Sequence, residues 1–81
     1  MRIDKFLNIV NITKRRSLAE EMCKSGVVKV NGKVAKPAKD VKIGDIIEIQ
    51  YLEKLQKFEV LKIPTTKTLP KSLKSEYVKE L

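Results

Sequence analysis

Eighty-one residues allow one small domain, near the lower limit at which a single apolar core folds without staples. One cysteine excludes an internal disulfide, the lack of histidine leaves no zinc-type ligand set, and no apolar run is long enough to span a bilayer. The net charge of +8 is unevenly spread: residues 1–42 hold eleven Lys and Arg against four Asp and Glu, and residues 43–81 hold seven against six. A lysine-rich surface kept only for solubility would spread the excess evenly. Its concentration in the first half predicts one polyanion-binding face. Without disulfides, a signal peptide or a spanning segment, the chain is expected in the cytosol, away from membranes.

RIDKFLNIVNI places Ile3, Phe6, Leu7 and Val10 at i, i+3, i+4 and i+7, which predicts a short first helix with Lys5 and Asn8 on its other side. A second helix is predicted from about Arg16 to Lys24, packed through Leu18, Ala19, Met22 and Cys23 and stopped by a left-handed Gly26. The short stretch between them makes the two helices a packed pair. Cys23 falls among these apolar positions and reads as a small buried hydrophobe rather than a reactive thiol, although nearby cations would lower its pKa.

After Gly26 the period changes. Asn31-Gly32 within VVKVNGKVAK predicts a tight hairpin turn, and Pro37 ends that segment. Gly44-Asp45 marks another turn, with the Asp45 side chain bonded to local backbone. IIEIQY then alternates Ile47, Ile49 and Tyr51 with Glu48 and Gln50, and a last strand is expected within residues 57–63 after a turn at Glu53 and Lys54. The predicted fold class is α+β: two N-terminal helices packed on a small, bent antiparallel sheet. This domain covers residues 1–63. Residues 64–81 open with PTTKTLP and read as a linker and short C-terminal tail. Ser72 can cap a final helix on which Leu73, Tyr77 and Leu81 are spaced four apart. So short a helix is marginal alone, so it docks on the body or awaits a partner.

Nothing predicts catalysis. The chain has no Gly-rich phosphate loop, no Ser-His or Cys-His pairing and no acid pair, and no cofactor or metal is expected. Asp4 reads as a first-turn carboxylate that complements the dipole of the first helix, with a nearby cation as partner. What remains is an anion-binding constellation. Arg2 lies at the entrance of the first helix, and Lys14, Arg15 and Arg16 crowd that of the second, so all three arginines of the chain sit at two helix starts. Cations there oppose the helix dipole at roughly 0.3–1 kcal/mol each. Arg16 and Glu20 form an i,i+4 pair, but in the weaker order, worth a few tenths of a kcal/mol at about the most. Lys33 and Lys36 follow the Asn31-Gly32 turn, where they either protect a sheet edge or extend the cationic face. Phe6 and Phe58 read as core, so no aromatic platform for single strands is present. Backbone and shape recognition of a structured nucleic acid is the expected mode.

Taken together, RIDKFL at 2–7, KRRSLAEEMCKSG at 14–26, VVKVNGK at 27–33, KPAKDVKIGD at 36–45 and IIEI at 46–49 resemble the S-four (S4) RNA-binding domain, over roughly residues 1–60. Within that family the chain is similar to stand-alone members, the heat-shock-fifteen type and, by its shortness and its KRRSLA wording, the RqcP type of ribosome quality-control protein. The resemblance implies the corresponding fold and no chemistry of its own. It also implies binding to rRNA of the large ribosomal subunit and to peptidyl-tRNA, beside a factor that adds alanine tails to stalled chains. A monomer is expected. The implied RNA contacts are Arg2, Lys14, Arg15 and Arg16, with Lys5, Asn31, Lys33 and Lys36 as secondary ones. Many S-four domains carry a capping Ser or Thr just before the motif arginine; here that place is Arg15, so the cap is left to Thr13, to another arrangement or to the RNA. An RNA-targeting accessory domain of a modifying enzyme, large-subunit recycling, and an adaptor for an acidic protein are the competing readings.

Overall fold

A computed structural model describes residues 1–81. The first helix, α1, spans Ile3–Ile9, and its predicted stripe of Ile3, Phe6, Leu7 and Val10 is wholly buried. It ends on Asn11 in the left-handed region (φ 65°), after which the Ile12 and Thr13 N–H groups both donate to the Leu7 carbonyl. The second helix, α2, spans Arg16–Lys24 and buries Ala19 and Cys23. Gly26 (φ 84°) closes it in a Schellman motif: its N–H donates to the Cys23 carbonyl and the Val27 N–H to the Met22 carbonyl.

Leu18 departs from the expected packing face and is 44% exposed. At 3.6 residues per turn it lies roughly 100° round the helix from Ala19. A nine-residue helix with its buried stripe on Ala19, Met22 and Cys23 leaves Leu18 on its flank.

Five antiparallel strands follow: β1 (Val28–Val30), β2 (Lys33–Val34), β3 (Ile46–Gln50), β4 (Leu55–Val60) and β5 (Val78–Glu80), in the spatial order β2-β1-β3-β4-β5. Asn31 (φ 52°) and Gly32 (φ 84°) make the two-residue turn between β1 and β2, with both central residues left-handed as a type I′ hairpin requires. Asn31 also pins the next strand: its Oδ1 accepts from the Ile46 N–H at 3.0 Å and its Nδ2 donates to Asp45 Oδ1 at 3.1 Å. Asp45 Oδ2 accepts from the Lys42 N–H, the local backbone bond expected of it. Alternation then puts Val28, Val30, Ile47, Ile49, Phe58 and Val60 on the face that meets the helices.

The tail departs most from expectation. The helix predicted from Ser72 to Leu81 is broken into a 3₁₀ turn (Lys71–Leu73), a single α-turn, α3 (Lys74–Tyr77), and strand β5. Backbone at Val78 turns extended (φ −137°, ψ 144°), and Val60 pairs with Val78 and Phe58 with Glu80 across the sheet. The four-residue spacing of Leu73, Tyr77 and Leu81 loses because β5 covers the open edge of β4 and buries Val78 in the core, while Leu73 and Leu81 stay exposed. The strand expected within 57–63 accordingly begins at Leu55 and ends at Val60, and β4 is not the last.

Val78→Ala removes two buried methyl groups and is expected to lower stability by about 2 kcal/mol; a tail lying free of the body would leave the denaturation midpoint unchanged. Burial, and secondarily the charge of Asp4, pushes the Cys23 thiol up from 9.0 to about 11. The folded chain therefore holds this proton where the unfolded chain has lost it. The associated stability is full below pH 9.0 and falls as the pH rises towards 11. A disulfide reagent at pH about 8 is expected to leave Cys23 intact in native protein and to modify it at once in guanidinium, since the thiolate is the reacting form.

Candidate RNA-binding site

Arg2 occupies the N-cap of α1 in extended conformation, and the following turn carries Asp4, whose side chain is entirely buried. A buried carboxylate needs partners, and Asp4 has three. Arg2 Nε donates to Oδ1 at 3.2 Å and Nη2 to Oδ2 at 3.0 Å, a bidentate fork; the Lys5 N–H donates to Oδ1 at 2.7 Å. Arg16, from the first turn of α2, brings Nη2 to 3.8 Å from Oδ1, which is a charge contact rather than a hydrogen bond. The two arginines are 50% and 48% exposed. One hidden anion thus gathers two half-exposed guanidiniums from different helices and leaves the group with a net positive charge facing solvent.

The start of α2 has no side-chain cap and no acidic residue in its first turn. Thr13, expected as a possible cap, does not supply one: its hydroxyl donates to the Arg15 carbonyl at 3.3 Å instead of accepting from the helix N–H groups. The first intrahelical bond is from the Ala19 N–H to the Arg15 carbonyl, so the N–H groups of Arg16, Ser17 and Leu18 point out of the helix start without helical partners. Glu20 does not compensate Arg16, because it pairs with Lys24 at 2.9 Å. The dipole penalty inferred for the cluster is therefore met by Asp4, reaching across from α1.

Around this centre the other cationic residues fall into groups. Lys14 and Arg15 line one open depression with Ser17, Leu18 and Glu21. Asn31 and Lys33 line another with Lys39. The loop carrying Lys36 and Lys39 is fastened to α1, since the Ile3 and Asp4 N–H groups donate to the carbonyls of Lys39 and Pro37. Residue Arg2 itself bridges to Asp40. The backbone around Lys36 and Lys39 therefore lies against the turn that carries Arg2 and Asp4, and Lys39 joins the cationic face although its position in the sequence gives it no distinguishing mark. Lys5 is half-buried and without an acidic partner. Asn31 stands apart in kind, because both ends of its amide are engaged in fixing the β1–β2 turn to the start of β3.

The model of the S4 domain family matches residues 1–47. The chain belongs to the S4 domain family. A protein of Helicobacter pylori strain J99 named RQC P-site tRNA stabilizing factor is 51% identical over 71 residues, covering 88% of this chain and 84% of that one. Among solved structures, Vibrio cholerae heat shock protein 15, described as trimeric, superposes with a TM-score of 0.90 at 31% identity, over 100% of this chain and 81% of that one. The solution structure of the hypothetical protein HP1423 gives a TM-score of 0.86 at 43% identity, over 100% and 96%. The α+β arrangement of this S4 domain, helix pair on antiparallel sheet, is the one these neighbours share.

Within this S4 domain, Asp4→Asn keeps the shape of the side chain and removes its charge. It is expected to cost about 1–3 kcal/mol of stability through the charged hydrogen bonds lost. It also frees Arg2 and Arg16 from their common anchor, weakening RNA binding by more than the stability loss alone would. Denaturation midpoints and RNA titrations of the same preparation separate the two effects; unchanged affinity would show that the anchor does not position the arginines.

Proposed function

We propose that the chain is a non-enzymatic RNA-binding factor of bacterial ribosome-associated quality control, acting in the cytoplasm as a monomer. It binds rRNA of the large ribosomal subunit and peptidyl-tRNA in obstructed complexes, beside a factor that adds alanine to the stalled chain. The observation that carries this reading is the Arg2–Asp4–Arg16 group at an uncapped, acid-free helix start. Open backbone N–H groups, a positive dipole end and two half-exposed guanidiniums meet there, and a phosphate backbone is the ligand that satisfies all three. The naming of the Helicobacter pylori relative supports tRNA at the peptidyl site as one partner.

Arg2, Arg16, Lys14 and Arg15 are the principal contacts in this reading, with Lys5, Lys33 and Lys36 extending the surface. Asn31 contributes by holding the β1–β2 turn in place, its amide being already occupied. The role is positional: charge and shape hold RNA in one geometry, and no bond is made or broken. A second reading, recycling of large subunits after heat shock, is favoured by the likeness to the Vibrio cholerae protein over the full chain. The two part on one measurement: loss of alanine tails from stalled chains in cells lacking this protein supports quality control, and unaltered tails support recycling.

Arg16→Ala is expected to abolish or strongly reduce co-sedimentation with large ribosomal subunits while leaving the circular dichroism spectrum unchanged; Arg2→Ala is expected to reduce it as strongly and also to lower the denaturation midpoint, because it strips the buried Asp4 carboxylate of its bidentate partner. About five phosphate contacts at the two helix starts alone predict a log–log salt slope for RNA binding of about −4 or steeper. A flat slope, or variants that pellet normally, would overturn the assignment.

A further inference from the structure

Near-neutrality of the second half of the chain hides a cationic stretch between two acidic ones. Residues 43–60 hold two lysines against four Asp and Glu, whereas residues 61–75 hold four lysines, Lys62, Lys67, Lys71 and Lys74, and no carboxylate. None of the four joins an ion pair. Lys62 and Lys74 stand 5.6 Å from the ring centres of Tyr77 and Phe58, and Lys67 and Lys71 are exposed.

This segment is fastened to the body. Pro64 and Leu69 are buried, and the Leu61 and Lys62 N–H groups donate to the Tyr77 carbonyl. The contact that sets its position is from Asn11 Nδ2 to the Leu69 carbonyl, at 2.8 Å. Asn11 lies in the connection between α1 and α2, three residues before Lys14. Lys67 and Lys71, each two residues from Leu69, therefore flank the connection that leads into Lys14, Arg15 and Arg16. From Asp4 to Ile9 the rise along α1 is about 8 Å, so the connection after α1 begins within about one Debye length of the Asp4 group at about 0.1 M salt.

We propose that Lys62, Lys67, Lys71 and Lys74 form a second phosphate-contacting strip, which takes the RNA backbone beside the α1–α2 connection, where Asn11 holds the segment at Leu69. This inference rests on the RNA-binding reading above and enlarges the surface assigned to it. Lysines on a tethered segment, Lys62 and Lys67 in irregular chain and Lys71 and Lys74 in the short helical turns that follow, supply flexible point charges suited to phosphates regardless of base sequence. The strip offers no exposed aromatic or arginine anchor of the kind that dominates protein interfaces.

The test uses the full chain with Lys67→Gln and Lys71→Gln together, and the same pair changed to Glu. These two lysines make no contact on which the fold depends. Binding to naked large-subunit rRNA, to a tRNA transcript and to purified large subunits is titrated against salt, with Arg16→Ala in parallel. The Gln pair is expected to lower the magnitude of the log–log slope for naked RNA by about 2 and to weaken binding roughly tenfold or more at about 0.1 M salt. The Glu pair should weaken it further, with unchanged circular dichroism. Wild-type slope and affinity in both pairs, with Arg16→Ala defective, overturn the strip and leave the main reading standing. Loss confined to whole subunits, with naked RNA bound normally, assigns the strip to an acidic protein and also overturns the proposal. Failure of the unaltered chain to bind RNA overturns both.

Discussion

The buried carboxylate of Asp4 is the interaction on which the cationic face depends. Taking a charge out of water costs several kcal/mol unless partners restore the lost solvation. Here a bidentate guanidinium and a backbone N–H do so at hydrogen-bond distance, and a second guanidinium adds its charge at 3.8 Å. Because both arginines are half-exposed, the pairing does not consume their capacity to meet a further anion. Crowded cations at the start of α2 look misplaced only while α2 is considered alone. Their compensating negative charge sits on α1, and its burial fixes the two helix starts in one geometry.

That geometry needs a rigid platform, and a chain of this size has little to build one from. The single core draws on both helices and the inner face of the sheet, and it closes only when Val78 is added from the tail. β5 also covers the edge of β4, while the opposite edge is left to the two-residue strand β2. Short edge strands limit edge-to-edge pairing between copies. The 36–40 loop, bonded to the first turn of α1, ties the sheet side to the Arg2 and Asp4 end, so helix pair, loop and sheet hold the cationic side chains from three directions.

Local sequence rules accounted for much of this. The bounds of α2, its Gly26 stop, the Asn31-Gly32 turn and the alternation of β3 all come from short-range causes: periodicity, left-handed backbone and turn chemistry. The failures have causes of longer range. Leu18 is exposed because a narrow buried stripe on a short helix leaves its flank open. The tail forms a strand instead of a helix because an i+4 spacing carries no information about an unpaired strand edge some 20 residues earlier in the chain. Lys39 went unnoticed because one lysine among fifteen has no local mark.

What the sequence determined by itself is the class of the fold, the positions of its turns and the concentration of arginine at two helix starts, since each is written in neighbouring residues. Membership of the S4 domain family was legible in the ordered motifs for the same reason. Tertiary structure alone decided that Asp4 is buried and shared, that Arg2 and Arg16 meet on it, that Thr13 does not cap α2, and that the tail ends as a strand. Those facts depend on which distant groups come within a few ångströms of each other. Desolvation and pairing energies act only at that range, and no spacing along the chain encodes them.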